Sequence, residues 1–290
     1  MEKRMLVVAV VTAVGVFSSA AIAGGPLGPP KAFVGHGKWL VDVEYAHEDI
    51  DLTSCGKGLW FDWNGSSWDL IEGHITKFDI EDLESDMFFG SLAYGLCDTW
   101  DVYVRLGAAN AKDELEPRGY FAAPGESYDF SGSHGFAWGV GSRGTFCQWG
   151  SWTLGAVGQV TWVNPGDDDV SWSYESGGTV FDLRGDVEVD WRQFQVGLGV
   201  TYQADGWWVY GGPCWFFVNG ELDSTITENQ DGSPTYRYEY SHDLREESEF
   251  GGWVGVGCQL PKGMTCYAEG QLYDNGWLIG LGVAFPLSAK

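Results

Sequence analysis

The chain has 290 residues, of which 41 are acidic and 16 are basic, so its formal net charge at pH 7 is −25. Because this charge would be repelled by the phosphates that dominate nucleic-acid binding, the composition argues against a nucleic-acid partner. The acidic residues are concentrated between the apolar segments rather than within them, which favours a solvated acidic face.

The first 23 residues have the features of a secretory signal peptide. A basic start is followed by an apolar run over residues 5–17 and by small residues at Ala21 and Ala23. The apolar run is shorter than the ~20 residues of a membrane-spanning helix, which favours a cleaved signal over an uncleaved anchor. We therefore predict a signal peptide over residues 1–23, an irregular N-terminal leader over residues 24–37 and a β-barrel domain over residues 38–290.

Ten short stretches of alternating apolar and polar or small residues follow, and their connections alternate in length. Tight joints fall near residues 97–99, 148–150, 204–206 and 261–263, whereas long acidic connections cover roughly 51–75, 112–133, 164–187 and 220–247. A barrel inserted into a membrane from one side has short turns at one end and long loops at the other. The alternation predicts an all-β fold: a closed antiparallel transmembrane β-barrel of about ten strands, with eight or twelve as alternatives, short periplasmic turns and long extracellular loops.

The period of two also predicts which side chains face the lumen. In the last segment, Trp277, Ile279 and Leu281 share an outward face, opposite small residues. The stretch over residues 207–218 is apolar on both faces, so its orientation stays open. The predicted inward polar set comprises Lys38, Asp42, Glu44, Arg105, Arg143, Gln159, Gln193, Gln195, Glu269 and Gln271. Since an isolated buried ion is costly, we expect its charged members to form a paired network or to line a wet lumen.

Tryptophans are expected to mark the two membrane interfaces, where barrels carry aromatic girdles. The predicted short-turn girdle contains Trp39, Trp100, Trp149, Trp152, Trp207 and Trp208, and the predicted long-loop girdle contains Trp162, Trp191, Trp253 and Trp277.

Six cysteines in an exported chain permit disulfides, and no CxxC pair or Cys/His cluster suggests zinc. A three-residue loop at 261–263 would place Cys258 opposite Cys266, the disulfide that we predict. A slip of one residue would break this pairing, so two free, buried thiols stay an open alternative.

The acidic connections include one candidate metal site. Asp167, Asp168 and Asp169 could hold a divalent cation or link the chain to anionic lipopolysaccharide, since hard cations prefer carboxylate ligands. No other cofactor is expected. A solvent-facing hairpin with its tip over residues 229–234 is predicted in the last long connection.

The alternating segments at residues 91–96 and 100–107 resemble those of the outer-membrane β-barrel proteins of double-membraned bacteria. The resemblance is one of pattern, covers nearly all of the chain after residue 23, and rests on no specific motif. It implies an outer-membrane location after signal cleavage, with lipid and lipopolysaccharide as partners and small solutes or surface ligands as candidates.

Strand number limits the function of such a barrel. About eight strands are filled by their own side chains, whereas water-filled porins have about sixteen. Ten strands with inward charges of both signs therefore favour a structural or surface-interaction protein with at most a narrow pore. A small-solute porin is the first alternative.

The second alternative is a barrel enzyme of the omptin or lipid-hydrolase type. The layout resembles that of the omptin proteases, which use paired aspartates and an Asp-x-His dyad, but only Glu72-Gly73-His74 is close to that dyad here. Ser241-His242-Asp243 contains the residue types of a hydrolase, but neighbours in a strand do not face one another. We therefore expect no enzymatic activity.

Overall fold

The computed structural model describes residues 25–115, 128–166, 168–176, 178–246 and 250–287. These residues contain no helix that is long and apolar enough to span a bilayer. A 3-10 turn at Pro261–Gly263 joins two strands. The fourteen strands of this part of the chain are β1 (Trp39–Trp63), β2 (Trp68–Cys97), β3 (Trp100–Ala109), β4 (Lys112–Leu115), β5 (Tyr128–Ser131), β6 (Gly135–Trp149), β7 (Trp152–Asn164), β8 (Asp168–Ser176), β9 (Thr179–Gln203), β10 (Trp207–Gln230), β11 (Ser233–Glu246), β12 (Phe250–Gln259), β13 (Thr265–Tyr273) and β14 (Gly276–Leu287).

Ten of these strands close into an antiparallel barrel. The order around the ring is β1-β2-β3-β6-β7-β9-β10-β12-β13-β14, and β14 pairs with β1 from Trp39↔Leu287 to Ile50↔Gly276. Closure satisfies the backbone hydrogen bonds of every ring strand without leaving an edge. The predicted ten-stranded transmembrane β-barrel fold is confirmed.

The four tight joints all lie at one end of the barrel, which we call the short-turn end. They connect β2 to β3, β6 to β7, β9 to β10 and β12 to β13. Gly150, Gly206 and Gly263 adopt positive φ angles of 58°, 80° and 79° in three of these turns. Glycine adopts this backbone conformation without steric cost, which allows such abrupt reversals.

The described parts of the long connections at the opposite end are largely strands rather than irregular loops. β1 pairs with β14 up to Ile50 and, after a register shift, with β11 from Leu52 onwards. β10 likewise changes its partner from β12 to β11. We call the outer parts of β1, β2, β9 and β10, together with β4, β5, β8 and β11, the outer extension. Tertiary pairing keeps these acidic segments extended, which their composition alone does not indicate.

The two faces of the ring strands differ sharply in chemistry. Exposed apolar residues form a continuous outer belt: Val43, Phe88, Leu92, Val104, Leu106, Phe136, Val140, Phe194, Leu198, Val254, Leu272 and Leu281. Polar side chains alternate with them on the buried face, as at Gln159 and Gln195. This is the transmembrane-barrel pattern of an apolar exterior around a polar interior.

Large side chains fill gaps that inward glycines leave in the lumen. A Cβ added at Gly141 would lie 2.3 Å from the Tyr103 ring, and one at Gly257 would lie 2.3 Å from the Trp208 ring. Gly197 likewise faces the ring of Trp253. These glycines make room for aromatic side chains.

The structure also decides the orientation of residues 207–218. Trp208, Tyr210 and Phe216 are buried on the inward face, whereas Val209 and Trp215 are exposed on the outward face. Three tryptophans assigned to the interfacial girdles, Trp191, Trp208 and Trp253, are instead buried side chains that point inward. For Trp208, period two alone could not decide, because both faces of this part of β10 carry aromatic residues. Trp191 shares the parity of the inward residues Gln193 and Gln195 on β9, so alternation already places it inward.

Candidate functional site: a plugged lumen

Residues 25–37, which we call the plug segment, run from the interior of the barrel to its short-turn end. The carbonyl oxygen of Gly25 accepts hydrogen bonds from Nε2 of Gln159 on β7 (3.2 Å) and from Nε2 of Gln271 on β13 (3.3 Å). These strands are four positions apart around the ring. A segment that contacts both of them must lie in the lumen, so the irregular leader is an internal element.

Glu269 on β13 holds the inner part of the plug segment. Its carboxylate accepts hydrogen bonds from the backbone N–H groups of Leu27 and Gly28, both at 2.8 Å. The Tyr210 hydroxyl and the Gln271 amide also donate to it, again at 2.8 Å. Four donors therefore compensate a buried carboxylate that has lost its water.

Asp101 on β3 holds the part of the plug segment near the short-turn end in the same way. Its Oδ2 accepts hydrogen bonds from the backbone N–H groups of Phe33 and Val34, and it lies 3.5 Å from Nε of Arg143. At the short-turn end, the N–H of Gly37 donates to the carbonyl oxygen of Gly95 (2.9 Å). The plug segment thus enters at the short-turn end and runs inward towards Gly25.

Wall glycines admit the plug segment at close range. A Cβ at Gly280 on β14 would lie 2.4 Å from Cγ of Pro26, and one at Gly95 would lie 2.0 Å from the carbonyl oxygen of Gly35. Because real Cβ atoms do not approach other atoms this closely, only glycine fits at these positions. The part of the wall that these glycines form, which we call the seat, is therefore complementary in shape to the plug segment.

A chain of hydrogen-bonded polar side chains crosses the lumen beside the plug segment. The Tyr103 hydroxyl donates to Oε1 of Gln159 (2.7 Å), Gln159 donates to Gln195 (2.5 Å), and Gln195 donates to Gln271 (3.1 Å). Gln271 then donates to Glu269. The chain links β3 to β13 and ties opposite walls together.

The predicted lumen charges fall into different environments. Arg105 is fully buried, lies 3.9 Å from Glu44 through Nη1, and donates through Nη2 to Thr161. The Tyr267 hydroxyl contacts both Glu44 (2.8 Å) and Asp42 (3.5 Å). Arg143 pairs with Asp101, a residue that the predicted network lacks.

Lys38 departs from the predicted network. The alternation of side chains along β1 would place Lys38 on the inward face. However, Lys38 precedes β1 at the short-turn end and its side chain is exposed. Strand parity could not reveal that it lies beyond the buried part of the lumen.

The acidic metal candidates fall partly outside the described residues. Asp167 is not among them, the side chain of Asp168 is not described, and Asp169 is exposed in β8. In the part of the chain that the structure describes, no three His, Cys, Asp or Glu side chains are grouped to hold a metal ion.

Cys258 and Cys266 are directly opposed across β12 and β13. Their sulfur atoms lie 3.0 Å apart as free thiols, next to the short-turn end. The three-residue joint pairs Leu260 with Met264, as the predicted loop requires. The disulfide stays a prediction.

The hydrolase candidates lie in the outer extension. His242 is buried between Ser54 Oγ (2.5 Å from Nδ1) and Thr76 Oγ1 (2.6 Å from Nε2). Burial lowers the pKa of this imidazole. Ser241 and Asp243, the sequence neighbours of His242, are exposed on the opposite face of β11.

Comparisons with known proteins identify no family for this chain. No family model matches the sequence, and no curated protein matches it significantly. Among solved structures, the outer membrane protease OmpT from Escherichia coli is 11% identical, with a TM-score of 0.36, and the match covers 86% of this chain and 97% of that one. The toluene transporter TodX from Pseudomonas putida is 11% identical over 89% and 95% of the two chains, with a TM-score of 0.39. The outer membrane protein OprG from Pseudomonas aeruginosa is 10% identical over 88% and 98%, with a TM-score of 0.32. Likeness at this level carries no functional argument.

Proposed function

We propose that this chain is an integral outer-membrane barrel whose lumen is closed by its own N-terminal segment. The observation that carries the proposal is the plug segment, which hydrogen-bonds to β3, β7, β12 and β13 at once. A polypeptide held on several sides leaves little room for solute passage. An open small-solute porin is therefore disfavoured.

The outer-membrane location is supported by the apolar belt and by the N-terminal sequence. Exposed aromatic residues such as Trp149 and Trp152 lie at the short-turn end, where a barrel meets a lipid interface. The predicted signal peptide would direct export. Membrane lipid and lipopolysaccharide are then the immediate partners of the belt and its outer rim.

The outer extension is the part of the molecule available for surface interaction. Near its tip, Trp63 and Trp68 are in ring contact across the β1–β2 hairpin, with centroids 5.1 Å apart. Leu70 and Ile75 expose 59% and 80% of their area on the same hairpin. Exposed apolar side chains far from the belt are consistent with an adhesive or structural surface role.

We propose no catalytic activity for this chain. The support for this is that Glu269 and Asp101 are engaged in holding the plug segment. The His242 imidazole is likewise buried between two hydroxyl groups, where a substrate would have no access to it.

Single-channel recording tests the closed lumen. Purified protein in planar bilayers is expected to show no large, steady conductance. Replacing residues 24–37 by a Gly/Ser segment of equal length is expected to produce a conductance, because the wall contacts of the plug segment are lost. A large conductance of the unmodified chain would favour the porin alternative instead.

A further inference from the structure

Three outward-facing side chains form a row across neighbouring strands, which we call the arginine row. Asn219 on β10 is directly opposite Arg192 on β9 and Arg245 on β11, and all three side chains are exposed. Nη2 of Arg192 donates to Oδ1 of Asn219 (2.6 Å), so this guanidinium leans towards the middle of the row. Neighbouring strands lie about 4.8 Å apart, which puts the two arginine Cα atoms roughly 10 Å apart. Both side chains can therefore reach one ligand above Asn219.

The strand register places the arginine row at a membrane interface. Trp152, at the short-turn end, and Trp162 are ten positions apart on β7, which corresponds to about 33 Å of strand. With the usual strand tilt of about 40°, this length spans roughly 25 Å, the height of the apolar band of a barrel. Trp162 is directly opposite Arg192. The row thus lies at the level of lipid headgroups, at the end of the belt remote from the short turns.

The membrane side of the arginine row is lined by aromatic rings. Phe194 and Phe217, the next outward residues towards the belt, are paired across β9 and β10 with ring centroids 6.0 Å apart. Beside Arg192, the rings of Trp138 and Trp162 are stacked with centroids 4.1 Å apart. A ligand in this position can therefore pack acyl chains against these rings while its polar group contacts the arginines.

The charges of the two arginines are available for a ligand. Among the described residues, no carboxylate lies within 4.0 Å of the guanidinium of Arg192 or Arg245, whereas Arg105, Arg143 and Arg237 each have one. The chain has 41 acidic and 16 basic residues, so carboxylates are not scarce. A guanidinium matches carboxylate and phosphate groups in geometry and charge. The arginine row is therefore suited to an anionic group from outside the chain.

The residues beyond the arginine row indicate from which side this anion arrives. The next outward-facing row is acidic and contains Asp190, Glu221 and Asp243, about 7 Å further along the strands. These carboxylates repel soluble anions that approach from the aqueous side. An anion that is attached to acyl chains approaches from the belt, where the surface is apolar. The pattern of charge favours a lipid phosphate over free phosphate.

We propose that Arg192, Asn219 and Arg245 bind the phosphate group of a lipid headgroup at the outer rim of the belt. The two guanidinium groups hold the phosphate from both sides, and the aromatic rings below contact the acyl chains. This inference rests on the membrane-embedded barrel proposed above, and it gives that barrel a specific site for one class of lipid.

Native mass spectrometry tests the class of ligand. The purified chain in a non-ionic detergent is mixed with dioleoylphosphatidic acid or with dioleoylglycerol, which has the same acyl chains but no phosphate. Because the charge-assisted hydrogen bonds need the phosphate, retention of phosphatidic acid should be at least about tenfold greater. Inorganic phosphate at the same concentration should not displace it. Equal retention of the two lipids, or displacement by inorganic phosphate, would overturn the proposal.

Arginine substitutions test the residues. Arg192→Gln and Arg245→Gln should each lower the retention of phosphatidic acid about tenfold, and the double variant should lower it further. Arg184→Gln removes an exposed arginine from β9 at a greater distance from the belt, and it should leave retention unchanged. The heat-modifiable band on gels reports the folding of each variant, and the single variants decide if the double variant does not fold. Undiminished retention by the folded variants would refute the assignment.

A carboxylate introduced within the arginine row provides a further control. Asn219→Asp gives both guanidinium groups an internal partner, so it should abolish retention without removing a basic residue. Thr227→Asp is the matched variant, since Thr227 lies between Arg184 and Arg237 on the same three strands but further from the belt. Only Asn219→Asp should lose the lipid, and equal retention by the two variants would contradict the site. Because lipid retention does not depend on conductance, a failure here is distinguishable from a failure of the closed lumen.

Discussion

At the residue scale, Glu269 shows what a buried carboxylate in this barrel requires. Its inward position follows from the alternation of β13, and the cost of burying a charge implies compensating partners. Those partners are mainly neutral donors, including two backbone N–H groups more than 240 positions away in the sequence. Pairing with a basic side chain, the expectation from charge alone, is replaced by hydrogen bonds to the plug segment.

Glu269→Ala is expected to destabilise the barrel. It leaves the N–H groups of Leu27 and Gly28 buried without acceptors, at a cost of about 1–3 kcal/mol for each group. Urea unfolding in detergent should therefore show a loss of roughly 2 kcal/mol or more. Glu221→Ala, which removes an exposed carboxylate from β10, is the matched control and should change the free energy of unfolding by less than about 0.5 kcal/mol. Equal effects of the two substitutions would contradict the anchoring role of Glu269.

At the element scale, the plug segment has the composition of a linker and the contacts of a core element. Its prolines and glycines prevent a regular strand, and its backbone groups therefore need partners from elsewhere. The lumen supplies these partners at Glu269, Asp101 and Gln159, and the wall glycines supply the space. An irregular segment can thus be as firmly held as a strand when the surrounding wall provides donors and acceptors.

A side chain at Gly280 is expected to displace the inner part of the plug segment. In Gly280→Val, the new Cβ would lie 2.4 Å from Pro26, so Pro26 must move and the neighbouring hydrogen bonds must open. Amide hydrogen exchange at Leu27 and Gly28 should become at least tenfold faster. Gly270→Val is the control, since a Cβ there meets only one atom, at 4.0 Å. Exchange that stays as slow as in the unmodified chain would show that the seat tolerates a side chain.

At the scale of the whole molecule, the two ends of the barrel differ strongly in structure. Short turns close one end, whereas the outer extension prolongs the wall at the other. At about 3.3 Å per residue, the thirteen residues between Ile50 and Trp63 add roughly 40 Å of strand beyond the last pairing with β14. This asymmetry predicts which lysines face the cell exterior.

In intact cells, a membrane-impermeant amine reagent is expected to modify Lys57 and Lys77, which are exposed on the outer extension. Lys262, exposed in the turn between β12 and β13, should react only after the cells are permeabilised. Mass spectrometry of the labelled peptides provides the measurement. Labelling of Lys262 in intact cells, with Lys57 and Lys77 protected, would mean the opposite orientation.

The sequence by itself determined the barrel and the face of most strands, and it predicted about ten strands with eight or twelve as alternatives. These follow from local rules: period two, tight turns at glycine, and the cost of placing polar groups in lipid. It also indicated the Leu260–Met264 joint that sets Cys258 opposite Cys266, and the hairpin that pairs Asn229 with Pro234.

Only the tertiary structure decided what fills the barrel. The inward direction of Trp208, the anchoring role of Asp101 and the position of residues 25–37 all depend on contacts between strands on different sides of the ring. No local pattern encodes such contacts, because the same Gly/Pro-rich segment would be irregular in solvent as well as in a lumen. The seat of this segment exists only where the closed ring brings distant strands together.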